Sequence, residues 1–438
     1  MQLSSFQNSS GSGLWRREKR IWTNAGTHTW YIPQGVTKVF AFVIGAGGGG
    51  YAYNEMGGSK VYQGGKGGGY AHGVISGLTP GNTLTVTVGL GGKGYSRNHS
   101  GSGTAGGNSS LGNYLTGSGG GAGTVLTSDP GDQRGQGGGA STSGVSEAYT
   151  ASGGGGGRWI NTSNQYTYDS NALGQHGGGS SGSPFGNGDG PMQSQGSSVV
   201  TGGAGWAYGQ TWRGEIGHST SNDKSRMFKM AFPGGGSHFN VTGDCVNGNQ
   251  TDSPSGVEGV STIGGCGLTA KGGKSYGQES GYHHTTSNAG GVMNSYALGV
   301  MDGEDANPRW WFPWEIDGGG GGAFQTNEGS GIQSHTINGG KGGSGAGGGG
   351  VLVGMHNRMA TIIGGNGGFG GGGGAASSYG RTHLNDRPHI CHGGQGGIGG
   401  GGGAAWCHKS YSGNPNGTDN NRVAFGGHGG NGCVCIYW

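Results

Sequence analysis

The chain has 438 residues, of which 120 are glycine and only 29% are hydrophobic, so an apolar core of the usual kind cannot run through its whole length. A formal charge of +3 with 10% charged residues is too weak and diffuse to attract nucleic acid. The start MQLSSFQNSSGSGLW has no apolar h-region and no later run is long and apolar enough to cross a bilayer, so neither a signal peptide nor a membrane span is expected.

In chain order, residues 1–21 are polar and end in WRREKRI, where Arg16, Arg17, Lys19 and Arg20 crowd beside Trp15. They read either as a solvated terminus or as an arm that docks the chain into a larger assembly. From Trp22 the pattern becomes β. THTWYIP closes on Pro33, PQG supplies a turn, and VFAFVI is apolar on both faces, which together read as a hairpin inside a core. After GYAHGVISGL and the turn TPGN, the stretch TLTVTVGL alternates: Leu84, Val86, Val88 and Leu90 share one face, and Thr83, Thr85 and Thr87 the other. CVCIYW at the far end reads as one more strand, so the two ends of the chain are expected to share a sheet. Cys433 and Cys435 would then point the same way and pack as small hydrophobes.

Between these ends glycine is ordered. GGNGGFGGGGGAA at 364–376 recurs as GGQGGIGGGGGAA at 393–405, and GGKGGSGAGGGG at 339–350, GGKGGG at 64–69, GGGGGAF at 318–324 and GGHGGNG at 426–432 carry the same G-G-X unit. A period of three fits the polyproline II helix, which has no internal hydrogen bonds, so every buried N–H and C=O must bond to a neighbouring rod. Absence of Cβ atoms lets such rods approach that closely. The segments between rods are rich in Ser, Asn, His, Tyr and Trp, and are expected as loops gathered at the bundle ends.

Chemistry-bearing motifs are sparse. G-x-G-x-x-G matches carry no weight in so glycine-rich a chain, and GLTAKGGKS has its glycine one residue out of place for a phosphate loop. RPHICH and WCHKS hold adjacent Cys-His pairs, but neighbouring residues seldom aim at one ion, so no metal and no cofactor is expected. No nucleophile with a base and no paired carboxylates stand out, so no catalytic residue is assigned and an enzyme is not expected. The densest aromatic run is ANPRWWFPWEID, with Arg309, Trp310, Trp311, Phe312 and Trp314; it reads either as closure of the bundle end or as a recognition surface. Tyr51 and Tyr53 in YAYNEM, and Trp206, Tyr208 and Trp212 in GWAYGQTWRG, are further receptor-contact candidates.

AGTHTWYIPQGVTKVFAFVIGAGGGG, GGYAHGVISGLTPGNTLTVTVGLGG and the ending GGHGGNGCVCIYW together resemble the glycine-rich domain of bacteriophage tail-fibre and adhesin proteins, and the similar glycine-rich ectodomain of some receptor kinases. The resemblance covers 22–92 and 426–438; the middle matches in composition. It implies an all-β and irregular fold with essentially no α-helix: a small jelly-roll-like antiparallel β-sandwich (22–92 plus 433–438) carrying a bundle of polyglycine II helices with long surface loops (93–432). It also implies a virion component whose loops bind a host surface glycan or outer-membrane protein, with residues 1–21 docking to other tail or fibre proteins, in a homo-oligomer such as a trimer. A purely structural fibre, capsid-decoration or matrix protein is the alternative. An ice-binding role would need flat arrays of small residues, and the long irregular segments argue against it.

Overall fold

The computed structural model describes residues 18–53, 60–96, 101–126, 133–157, 173–191, 199–206, 230–231, 234–236, 276–278, 320–321, 324–329, 336–356, 360–378, 389–407 and 423–438. Among the described residues there are strands and turns and no helix, so the fold is all-β.

Ten strands form a sandwich: β1 (Lys19–Trp22), β2 (Gly26–Tyr31), β3 (Lys38–Ile44), β4 (Tyr70–Ser76), β5 (Thr83–Val88), β6 (Ser109–Leu111), β7 (Leu115–Gly117), β8 (Ala140–Thr142), β9 (Ser146–Ala151) and β10 (Cys433–Tyr437). One antiparallel sheet runs β1-β10-β3-β4-β9 and the other β8-β7-β6-β5-β2. As expected, the two chain ends meet: Ile21 lies opposite Cys435, and Cys435 opposite Phe42. Alternation in β5 also holds, with Val86 and Val88 turned into the core beside Trp30, Leu111, Val434 and Ile436, but Leu90, expected on the same face, lies past the end of the strand and is exposed.

The expected hairpin does not form. β2 pairs with β5 and β3 pairs with β4 and β10, so the turn after Pro33 carries the chain from one sheet to the other. β3 is apolar on both faces because it serves two cores. Val39, Ala41 and Val43 face the sandwich interior, while Phe42 and Ile44 pack with Tyr70, Cys433, Cys435, Trp206 and Phe369 on the outer face. The sandwich is also larger than 22–92 plus 433–438. It begins at Lys19, and β6 to β9 come from 109–151; three-residue Ser- and Thr-rich strands such as SSL and LTG are too short to leave a periodic signal.

Several chain segments link sandwich and lattice directly, three of them at the central strands of one sheet. β3 runs into residues 45–50, residues 63–69 run into β4, and residues 426–432 run into β10. The rod 45–50 shows how such segments cohere. Its N–H groups donate in a cycle of three: Gly45 and Gly48 to Gly69 and Lys66, Ala46 and Gly49 to Gly107 and Thr104, Gly47 and Gly50 to Gly430 and Gly427, all at 2.8–3.0 Å. These three neighbours run antiparallel to it. Its carbonyls accept from three others: Gly120 and Gly123, Gly92 and Tyr95, and Gly402. One rod thus bonds to six neighbours and keeps none of its bonds to itself, as a period-three backbone requires. A Cβ on Gly47, Gly48, Gly49 or Gly50 would fall on a neighbouring carbonyl oxygen, from Gly400, Gly121, Lys93 and Gly403 respectively.

Residues 339–350, 364–375 and 393–404 are rod hairpins. Each folds at a β-turn closed by a bond from Ala346 to Gly343, Gly371 to Gly368, or Gly400 to Gly397. The third turn residue is Gly345, Gly370 or Gly399, at φ 78, 75 and 75, the left-handed position that glycine fills in a type II turn. The hairpins stack in register: Gly368 donates to Ala346, Gly397 to Gly371 and Gly430 to Gly400.

Away from the sandwich the rods become short strands in parallel ladders. Tyr276–Gln278, Phe324–Gly329, Val351–His356, Ala376–Ser378, Ala405–Cys407 and Ala52–Tyr53 make one; Thr336–Asn338, Ala360–Ile363, His389–His392 and Val423–Phe425 another. A third joins Lys60–Tyr62, Leu173–Gln175, Val199–Val200 and Met230–Ala231, with Val125–Leu126 antiparallel at its edge.

Two histidines are buried in this body. His72 lies under Tyr149, with its Nδ1 3.0 Å from the Tyr70 hydroxyl, and His176 is sealed beside Thr201. Burial lowers both imidazoles from 6.5 to about 4. The folded pKa lies below the unfolded one, so the unfolded chain takes up protons first. Stability is intact above pH 6.5 and falls as the pH drops from there towards 4. At about pH 5 each histidine is expected to remove roughly 2 kcal/mol, read from urea unfolding across the acid range. His72→Gln should flatten its share of that slope; a parent protein equally stable at both ends of the range would show that the rings are not held neutral.

Candidate recognition surface

Three of the receptor-contact candidates are packing residues. Tyr51 and Tyr53 both stack on Tyr62, at ring distances of 5.2 and 4.4 Å, beneath Trp406, and are 8% and 5% exposed. Trp206 is fully buried, edge-on to Phe369 at 5.8 Å, and its Nε1 donates to Ser181 Oγ at 3.1 Å. The physical reason is shared: a lattice of bare backbone has no side chains to fill its boundaries with the sandwich and the ladders, so the nearest aromatics are drawn inward. Tyr208, Trp212, Arg309, Trp310, Trp311, Phe312 and Trp314 lie outside the described residues. Among the docking candidates, Lys19 and Arg20 belong to β1, where Lys19 faces Tyr437 and the Arg20 guanidinium sits 5.1 Å from the Trp22 ring centre. Trp15, Arg16 and Arg17 lie outside the described residues.

Cys391 and His392 sit on one strand and Cys407 ends another, while His408 lies outside the described residues. Cys391 turns inward to a cluster with Cys407, while His392 turns outward and stacks on Phe425 at 4.7 Å and 9°. Adjacent side chains on a strand diverge, so this pair cannot close on one ion. Partial burial against Phe425 lowers the His392 pKa.

Among the described residues, the outer side of one row of rods makes a regular exposed surface. The rods 339–345, 364–370 and 393–399 each donate to the next at every third residue: Gly342 to Asn366, Gly367 to Gln395, Gly396 to His428. Rod 426–432 in turn donates to 89–95, through Gly429 to Gly92 and Gly432 to Gly89. The register brings Lys341, Asn366, Gln395, His428 and Lys93 to one level, and all five are exposed. One ladder step away, Asn338, Ile363, His392 and Phe425 form a parallel, half-buried line.

These outer side chains also bond to the rods. A rod at the edge has N–H groups with no rod to accept them, and polar X residues take that place. Asn366 Oδ1 accepts from Gln395 N, His428 Nδ1 from Gly94 N, and Asn431 Oδ1 from Gly91 N, at 2.9, 3.1 and 2.9 Å. The G-X alternation therefore has a simple meaning: glycine where a rod faces rods, a polar residue where it faces water. Reading X positions by register would have found this surface, whereas a search for aromatic clusters passed it over.

Residues 23–260, a little over half of the chain, match the family model described as Glycine-rich domain. The chain belongs to the glycine-rich domain family. Comparison with curated proteins finds no match. The family match takes in β2 to β9 and the rods that adjoin them, and it stops before the three stacked hairpins, which continue the same construction with a more regular repeat.

Proposed function

We propose that this glycine-rich domain protein is a non-enzymatic component of a bacteriophage particle, an adhesin or tail-fibre protein that binds a host surface glycan or outer-membrane protein. One observation carries the reading. The described strands on either side of segments 54–59, 330–335, 357–359, 379–388 and 408–422 all belong to the parallel ladders, at the end of the rods away from the sandwich. Five connections thus leave and re-enter one end of a body of laterally bonded rods, a rigid base of the kind on which recognition usually lives. Many copies on a particle would turn weak contacts into firm attachment. The sandwich end, entered by the chain from residue 18, is left for attachment to other particle proteins through the N-terminal segment.

A structural role without receptor binding is the second reading, favoured by the burial of Tyr51, Tyr53 and Trp206. Attachment of purified protein to intact host cells separates the two. With Trp310→Ala and Trp311→Ala combined, attachment should fall by about tenfold or more, as for anchor residues of an interface. Unchanged attachment in this variant and also in Tyr379→Ala and Tyr411→Ala, the aromatic residues of the five connections, would favour the structural role.

A further inference from the structure

We infer that the free edge of β2 pairs with β2 of a second copy of this chain, antiparallel and about a twofold axis at Thr29, joining two five-stranded sheets into one. The interface lies on the sandwich and depends neither on the connecting segments nor on receptor binding.

The two sheets of the sandwich end in β1 and β9, and in β8 and β2. A long, flat, uncharged edge is a template for another strand, and proteins blunt it with charge, proline, a bulge or shortness. Three of these edges are blunted. β1 has four residues and carries Lys19 and Arg20, and β8 has only three residues. The pairing of β9 slips between Ser146 and Tyr149, where Glu147 takes φ 51. β2, GTHTWY, is different: its six residues stay in unbroken register with β5, without proline or bulge. No Lys, Arg, Asp or Glu occurs in residues 23–37.

The backbone groups of β2 are placed for such a partner. Ile32 N donates to Asn82 O and Gly112 N to Thr85 O, both at 2.8 Å, which fixes the alternation. Gly26, His28 and Trp30 bond to β5, so Thr27, Thr29 and Tyr31 turn their N–H and C=O groups away from it. All three residues are exposed, Tyr31 at 69%, and these outward groups have no partner among the described residues. The outward residues are symmetric about Thr29, so a second copy fits in register with Thr29 against the partner's Thr29 and Thr27 against the partner's Tyr31. Each outward residue then gives one bond and receives one. The side chains repeat matches already made within the chain, where Thr29 lies opposite Thr85 and Tyr31 opposite Thr83. Threonine–threonine and aromatic–threonine pairs are favourable across strands, and two uncharged edges meet without repulsion. This self-match of bonds and side chains selects a second copy over an unrelated strand, and the twofold arrangement closes both edges at once.

Sedimentation equilibrium of the full chain tests the pairing. A monomer–dimer equilibrium with a Kd of about 10–100 µM is expected for an interface of this small size. Thr29→Pro removes an outward N–H and none that bonds to β5, so it should leave the melting temperature of the dilute monomer unchanged and weaken the dimer at least about tenfold. Two paired substitutions test the register. Thr27→Lys with Tyr31→Lys sets like charges opposite each other and should abolish the dimer, whereas Thr27→Lys with Tyr31→Glu sets opposite charges together and should keep it. Both pairs lie on the exposed face and keep the test valid if Thr29→Pro disturbs the strand. A parent protein that stays monomeric to about 1 mM, a dimer unweakened by Thr29→Pro, or equal dimerisation of the two paired variants would each overturn the pairing.

Discussion

Replacing Gly47 by alanine should remove at least about 4 kcal/mol of stability or prevent folding, a loss well beyond that of an ordinary substitution. The Cβ would fall on the Gly400 carbonyl. Relief requires rod 45–50 to retreat, but Gly47 donates to Gly430 and accepts from Gly92, and Gly48, Gly49 and Gly50 are enclosed in the same way. Each lateral bond given up costs about 1 kcal/mol, and more when a buried group is left unpaired. The opposing effect, a stiffer unfolded chain, is worth about 0.4–1 kcal/mol and does not compensate. Asn366→Ala is the control: it adds no atom inside the lattice and removes one cap from the Gln395 N–H, for about 1 kcal/mol. Guanidinium unfolding of both variants reads the difference. If Gly47→Ala fell within about 1 kcal/mol of the parent, the rods would not be in the contact described.

Trp206→Ala is expected to cost about 3–5 kcal/mol, the range for emptying a buried aromatic site. The indole fills the junction between sandwich and hairpin tips: it meets Phe369 edge-on, donates to Ser181, and lies where Gly370 would carry a Cβ. Phe369 and Phe185 flank it, but the Gly345 and Gly370 backbones beside it are fixed by other bonds and cannot collapse into the space. Trp206→Phe keeps much of the volume and should recover most of the loss. Thermal or denaturant unfolding measures this, and attachment of the folded fraction to cells should not change. Full stability combined with lost attachment would instead make Trp206 a contact residue.

Much of the architecture was legible because glycine patterns leave strong marks. The G-G-X period pointed to rods bonded sideways, and the rod 45–50 bonds in that cycle of three. CVCIYW and VFAFVI pointed to strands at both chain ends, and β10 lies between β1 and β3. Cys433 and Cys435 pack on one face beside Phe42 and Tyr70. What was lost has physical causes too. An apolar strand such as β3 signals cover on both sides but not whose cover, so the β2-β3 turn passed for a hairpin instead of a crossing between sheets. Tyr51, Tyr53 and Trp206 sit beside glycine runs, where sequence cannot tell an outward aromatic from one drawn into the boundary of a lattice. Lys341, Asn366, Gln395, His428 and Lys93 are ordinary polar residues singly; only the lateral register makes them a line.

The continuity of β3, β4 and β10 with the rods has a mechanical consequence. Tension applied between the ladders and the sandwich runs along these covalent threads, at right angles to the bonds that tie neighbours together. It therefore strains those bonds in shear, many at once, and does not peel them apart one after another. A molecule of this kind resists being pulled along its length far better than across it.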